Sequence, residues 1–167
     1  GGSGTHLKDQ QGTKSSFHYN YWCSPVNSSS TAYTVAGVLR DGTNSSSSPF
    51  NPGSINFGYD IYFADGPLTN PIKVSSRWIY KYAASANNYF SWQSIRESGT
   101  INIGEGFTMK GVTGTALNTD AQNYVFKGKP NNGDINLNIA LNQVYLIGNP
   151  YPSALDADAF IRDNIKD

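Results

Sequence analysis

Ser54-Ile55-Asn56-Phe57-Gly58-Tyr59-Asp60-Ile61-Tyr62-Phe63 sets Ile55, Phe57, Tyr59, Ile61 and Phe63 at alternate positions. A period of two puts these side chains on one face of an extended chain and Ser54, Asn56, Gly58, Asp60 and Tyr62 on the other; a helix would scatter them around its axis. Burying such a face contributes about 1.5–3 kcal/mol per large side chain, before conformational entropy is charged against it. The stretch predicts a half-buried β-strand.

The same period recurs at 135–141, where Ile135, Leu137, Ile139 and Leu141 point one way and Asn136, Asn138 and Ala140 the other. Phe17–Cys23, Trp78–Ala83, Tyr89–Ile95, Thr100–Ile103, Phe107–Lys110, Asn123–Lys127 and Gln143–Ile147 are rich in the aromatic and β-branched residues that suit a pleated surface. Together these segments predict about nine strands. Between them lie turn signals: Asp41-Gly42, Asn51-Pro52-Gly53, Asp65-Gly66-Pro67, Asn70-Pro71, Pro130-Asn131-Asn132-Gly133 and Gly148-Asn149-Pro150. Many short strands divided in this way predict an all-β fold, an antiparallel β-sandwich of jelly-roll-like form. Only the end reads as helix: Ser153 and Asp156 can cap it, and Phe160, Ile161 and Ile165 line one side of 157–165. Thr31–Leu39 fits a turn of helix about as well as a strand.

The 167 residues suit one domain, since domains commonly run to roughly 100–150 residues. Residues 1–14, opening on Gly1-Gly2-Ser3-Gly4, read as a flexible N-terminal segment or linker, and 15–167 as a single sandwich module. Hydrophobic residues make up 38% and charged residues only 14%, so the chain can fill a core. Lysine plus arginine equal aspartate plus glutamate at 12 each. No segment concentrates the basic residues, which argues against nucleic acid or an anionic membrane as partner. Cys23 is the only cysteine, so the chain builds neither an internal disulfide nor a thiolate metal cluster; a small buried hydrophobe is its expected role. No apolar run reaches the roughly 18 residues of a membrane span, and no signal-peptide pattern heads the chain.

Candidate chemistry is sparse. Trp22, Trp78 and Trp92, with abundant tyrosines, are the candidate ligand-binding residues: exposed rings give sugars a stacking platform, and Asn and Gln side chains orient them. The competing reading is core, because Trp78, Tyr80 and Tyr82 alternate as a buried face does. Asp156 and Asp158, with Asp163 nearby, are weak metal candidates, since calcium takes clustered carboxylates; the Gly and terminal Glu of a complete calcium loop are missing, and helix capping accounts for both aspartates. Glu97 and Glu105 flank Thr100–Ile103 and can converge across a hairpin, the arrangement a glycosidase needs, but spacing alone is a thin signal and Glu105 between glycines reads as a turn residue. His18, between Phe17 and Tyr19, reads as a strand-face residue, and no nucleophile-elbow sequence accompanies it. No catalytic residue and no cofactor is expected. Tyr151-Pro152 lies in a dense turn where a cis peptide is expected.

Three stretches carry a resemblance: Tyr19-Asn20-Tyr21-Trp22-Cys23-Ser24-Pro25-Val26, then Gly104-Glu105-Gly106-Phe107-Thr108-Met109-Lys110-Gly111, then Gly148-Asn149-Pro150-Tyr151-Pro152-Ser153-Ala154-Leu155-Asp156-Ala157-Asp158, with Phe126-Lys127-Gly128-Lys129-Pro130-Asn131-Asn132-Gly133 between the last two. Over residues 15–165 the chain resembles a module of large secreted proteins of the Bacteroidetes, particularly flavobacteria, that leave through the type IX secretion system. The resemblance implies an extracellular or outer-surface location, a place upstream of a C-terminal sorting domain, and a structural or adhesive role without assigned catalysis. A carbohydrate-binding module beside a secreted enzyme is the alternative. Cys23 departs from the pattern, standing where such modules look serine-like. The chain also stops just after the Asp-rich motif, where further strands are expected, so an open sheet edge available for pairing is expected too. The partners implied are neighbouring domains of the precursor, a glycan, or a protein of the secretion machinery.

Overall fold

The computed structural model describes residues 4–43, 51–59, 69–112 and 119–165. In chain order the strands are β1 (His6–Thr13), β2 (Tyr19–Cys23), β3 (Val26–Asn27), β4 (Ala32–Tyr33), β5 (Leu39–Asp41), β6 (Gly53–Ser54), β7 (Asn56–Gly58), β8 (Lys73–Ser75), β9 (Tyr80–Lys81), β10 (Gln93–Ser94), β11 (Ile101–Asn102), β12 (Gly106–Lys110) and β13 (Ala121–Pro130). A single helical turn, α1 (Val35–Val38), precedes β5, and the helix α2 (Ala157–Asn164) follows the strands.

Two antiparallel sheets form the sandwich. One runs β1-β13-β5-β6, with β3 also paired to β13; the other runs β10-β9-β12-β2. Alternation explains how they face each other. In β2, Asn20 and Trp22 turn inward while Tyr19 and Tyr21 stay exposed. Trp22 meets Tyr124 of β13 edge-on at 5.5 Å and Phe126 at 6.0 Å, so one sheet's ring is wedged between two rings of the other. Phe107 and Met109 of β12, Leu39 of β5, Val35 and Val38 of α1, and Ile101 complete a dry interior. The fold is therefore all-β, an antiparallel sandwich with a short C-terminal helix, and its crossed strand order, with β13 beside β1 and β12 beside β2, is of the jelly-roll-like kind. One small parallel pair, β7 with β8, stands outside the two sheets. Among the described residues no helix is long and apolar enough to cross a membrane.

The decisive stretch is described as far as residue 59 and is not one strand: Ser54 ends β6, Asn56–Gly58 forms β7 in the separate pair with β8, Ile55 is buried but Tyr59 is exposed, while 60–63 lie outside the described residues. Four further expectations are corrected. The segment 1–14 is not a linker throughout, because His6–Thr13 forms β1 and pairs residue for residue with β13 from His6 opposite Gly128 to Thr13 opposite Ala121. Its polar sequence hid it; an edge strand is held by its ladder rather than by an apolar face. Gly12 is the local signal, since a Cβ there would stand 2.6 Å from the Trp22 ring. Residues 135–141 alternate yet form no strand, and Leu141 is 90% exposed. Alternation reports two environments, not a ladder partner. Gln143–Ile147 contributes only isolated bridges, at Val144 to Ser85 and at Ile147 to Glu105. Among the described residues the cis peptide is Asn70-Pro71, and Tyr151-Pro152 is not cis.

The stretches that carry the resemblance pack together. β2 and β12 pair along their full lengths, Cys23 opposite Gly106 and Tyr19 opposite Lys110. Asn131 Nδ2 donates to the Pro150 carbonyl at 2.8 Å, and Tyr151 Oη donates to that of Gly133 at 2.7 Å. They form one structural unit.

Candidate functional site

The outward face of the β10-β9-β12-β2 sheet is aromatic. Thr108 lies opposite both Tyr21 and Tyr80, which makes one row across three strands, and Tyr19 opposite Lys110 makes the next. Trp78 ends a 3₁₀ turn (Ser76–Trp78) just before β9. A second 3₁₀ turn, Tyr89–Ser91, raises Tyr89 and Phe90 beside the sheet, and Trp92 follows it into β10. These rings and Thr108 enclose a cleft of about 390 Å³.

The wall is braced from behind. Tyr82 packs edge-on against Trp92 at 5.0 Å, and its hydroxyl accepts from the Asn88 N–H at 2.9 Å and donates to the Ala86 carbonyl. Gln93 Nε2 donates to the Ala83 carbonyl at 2.8 Å and to Ser85 Oγ at 2.9 Å. Ala84 and Arg96, at φ 51° and 53°, bracket the segment in left-handed backbone that non-glycine residues adopt at a cost. Yet what this scaffold holds out is bare: Tyr89 is 81% and Phe90 92% exposed, their rings edge-to-face at 5.8 Å. Large apolar rings standing in water make this face the candidate contact surface.

Lys110 Nζ sits 3.9 Å from the centre of Trp78 and 5.5 Å from that of Tyr19, fixing the Trp78 ring by cation–π attraction. Burial raises the Tyr19 phenol above its ordinary value, and Tyr80, Tyr89 and Tyr21 nearby push the same way, so it stays a neutral donor and acceptor.

The sequence candidates separate. Trp78 and Trp92 come together in the cleft with five rings that composition alone could not single out. Trp22 does not join them: it is 8% exposed, inside the sandwich, because its position in β2 is of opposite parity to Tyr19 and Tyr21. Asp156 is the N-cap of α2, its Oδ1 accepting from the Ala159 N–H at 3.0 Å, and Asp158 lies in that helix's first turn. Among the described residues no three His, Cys, Asp or Glu side chains converge as a metal site. His18 Nδ1 is 3.0 Å from Ser15 Oγ.

Glu105 is 3% exposed and occupied. Lys81 Nζ lies 3.2 Å from its Oε2, and the Asn102 N–H and Nδ2 donate to it at 3.1 and 3.0 Å. Such a carboxylate braces the β9-β12 junction. Replacing Lys81 with Met should cost about 2 kcal/mol, a value set below that of a fully buried pair because the lysine keeps some contact with water. Chemical denaturation of the variant measures this, and an unchanged midpoint would show that the pair carries no stability.

Other cavities are of different character. An Asn-rich depression of about 590 Å³ includes Asn27, Asn102, Asn131, Asn136 and Asn138. An apolar groove of about 730 Å³ separates Ile135, Leu137 and Ile147 from Phe160 of α2.

Fold and cleft together define a β-sandwich module with an exposed aromatic cleft on one sheet. By sequence, the chain belongs to the family described as Domain of unknown function (DUF8693), whose model matches residues 67–167, more than half of the chain and every cleft residue except Tyr19 and Tyr21. No curated protein and no solved structure matches the chain.

Proposed function

We propose that the chain is a non-catalytic adhesive module of an exported bacterial surface protein, a type IX secretion substrate, and that its adhesive contact is a glycan seated in the aromatic cleft. The observation that carries this is the aromatic cluster in which exposed Tyr89 and Phe90 stand beside half-buried Trp78 and Trp92 at the edge of the sheet. Pyranose rings present flat C–H faces that displace water from aromatic rings, and phenol and threonine hydroxyls beside them accept and donate hydrogen bonds. The non-catalytic reading is supported by Glu105, whose lone pairs serve the fold. The extracellular address, the neighbouring domains and contact with the secretion machinery rest on the motifs at 19–26, 104–111 and 148–158. An open edge of the sandwich for strand pairing belongs to the same proposal; β1 and β6 end one sheet, β10 and β2 the other.

A glycan array followed by calorimetry tests the contact. The wild-type chain should bind at least one polysaccharide class, and Trp78→Ala and Trp92→Ala should each weaken it by about 2 kcal/mol, some thirtyfold, at a temperature where circular dichroism shows the variant folded. Silence of the wild type across the array, or full binding by both variants, refutes the reading.

A further inference from the structure

The cleft does not end at Trp92. A second depression of about 360 Å³ adjoins it, and Tyr21, Tyr89 and Trp92 line both. Its far side is made by the 87–88 turn and by Val144–Leu146, a segment tied to the sheet by Leu146 N–H donating to the Tyr82 carbonyl at 2.6 Å and by Val144 N–H donating to that of Ser85 at 2.9 Å. Each depression alone has the size of a small-molecule site, commonly about 300–1,000 Å³.

Two properties of this double surface select among glycans. No Asp, Glu, Lys, Arg or His lines either depression among the described residues. The nearby ammonium of Lys110 is held against Trp78. The polar residues are spread along it: Tyr19, Tyr80 and Thr108 line only the first depression, Asn87, Asn88 and Tyr145 only the second, and Tyr21 and Tyr89 both. A site for a single sugar surrounds it with convergent donors and acceptors. Here the rings lie in succession and the orienting groups stand apart.

Resting on the glycan reading above, we infer that the ligand is a neutral, linear polysaccharide, bound along its length through several consecutive sugars whose equatorial substituents leave both ring faces flat, with one unit over Trp78 and a later one beside Asn87 and Tyr145. Chain length then sets affinity, because shorter pieces fill one depression only.

Titration calorimetry with cello-, xylo- and laminari-oligosaccharides from the single sugar to the hexamer reads this directly. For at least one series the hexamer should bind about tenfold or more tighter than the dimer, and its affinity should hold between roughly 0.01 and 1 M ionic strength. Trp78→Ala should weaken every length that binds, whereas Asn87→Ala, at an exposed side chain, should weaken the longer pieces and leave the dimer unchanged. Equal affinity at all lengths, loss of binding with salt, or no binding by any of the three series while the array reports a charged or branched glycan would overturn this inference and leave the glycan reading standing. Silence on the array removes both.

Discussion

Between pH 9 and 12 the domain should lose stability steadily. Burial pushes the Cys23 thiol from its ordinary 9.0 up to about 12, against hydrogen bonds from the Gly104 and Gly148 backbone that favour the thiolate. In the unfolded chain the thiol releases its proton near pH 9; in the folded chain it keeps it to about pH 12. Over that window the unfolded state binds fewer protons, so each pH unit removes about 1.4 kcal/mol, and below it the contribution is constant. Tyr33 and Tyr124 act in the same direction above pH 10. Burial raises both phenols, with Cys23 and Glu105 adding at Tyr33 and Asp41 at Tyr124. Urea midpoints followed by circular dichroism from pH 8 to 12 measure the slope. A Cys23→Ala variant should fall less steeply; a flat profile, or the same slope in both proteins, would show that the thiol is not where the fold puts it.

Phe126→Ala should cost about 3–5 kcal/mol, a large share of the roughly 5–15 kcal/mol that holds a domain folded. Phe126 is fully buried at the middle of β13, paired on one side with Lys8 of β1 and on the other with Leu39 of β5, and its ring supports Trp22. Truncating it opens a cavity where the two sheets interlock. Phe90→Ala is the matched control, since the ring is already in water and its removal should change stability by no more than about 0.5 kcal/mol. Equal destabilisation by the two would mean that the core lies elsewhere.

The contrast between these phenylalanines shows what was legible in the sequence. Side-chain reading, through aromatic and β-branched content rather than period, identified β2, β12 and β13. It failed for β1, whose residues are nearly all polar, and it over-read 135–141, where Ile135 and Leu137 rest against Gly104 with no strand alongside. Both errors have one origin: side-chain pattern records what a residue faces, and a β-ladder is made by the backbone. The cleft was half visible. Trp78 and Trp92 stood out by type, but Tyr89 and Phe90 sit in a 3₁₀ turn with no periodicity, and only the tertiary placement of that turn against β9, β12 and β2 makes them a surface. Trp22 misled because its type is the same and its parity opposite.

The ladder between β1 and β13 also bears on where the independent folding unit lies. The segment matched by the family model opens at residue 67, and a polypeptide cut there would carry β13 without β1, β3 or β5, and β12 without β2. It would bring Tyr124, Phe126 and Phe107 but neither Trp22 nor Leu39, so the hydrophobic wall of one layer would meet open water where its counterpart belongs. The strands that complete this core therefore reach far upstream of the shared segment, back to the one that starts with His6.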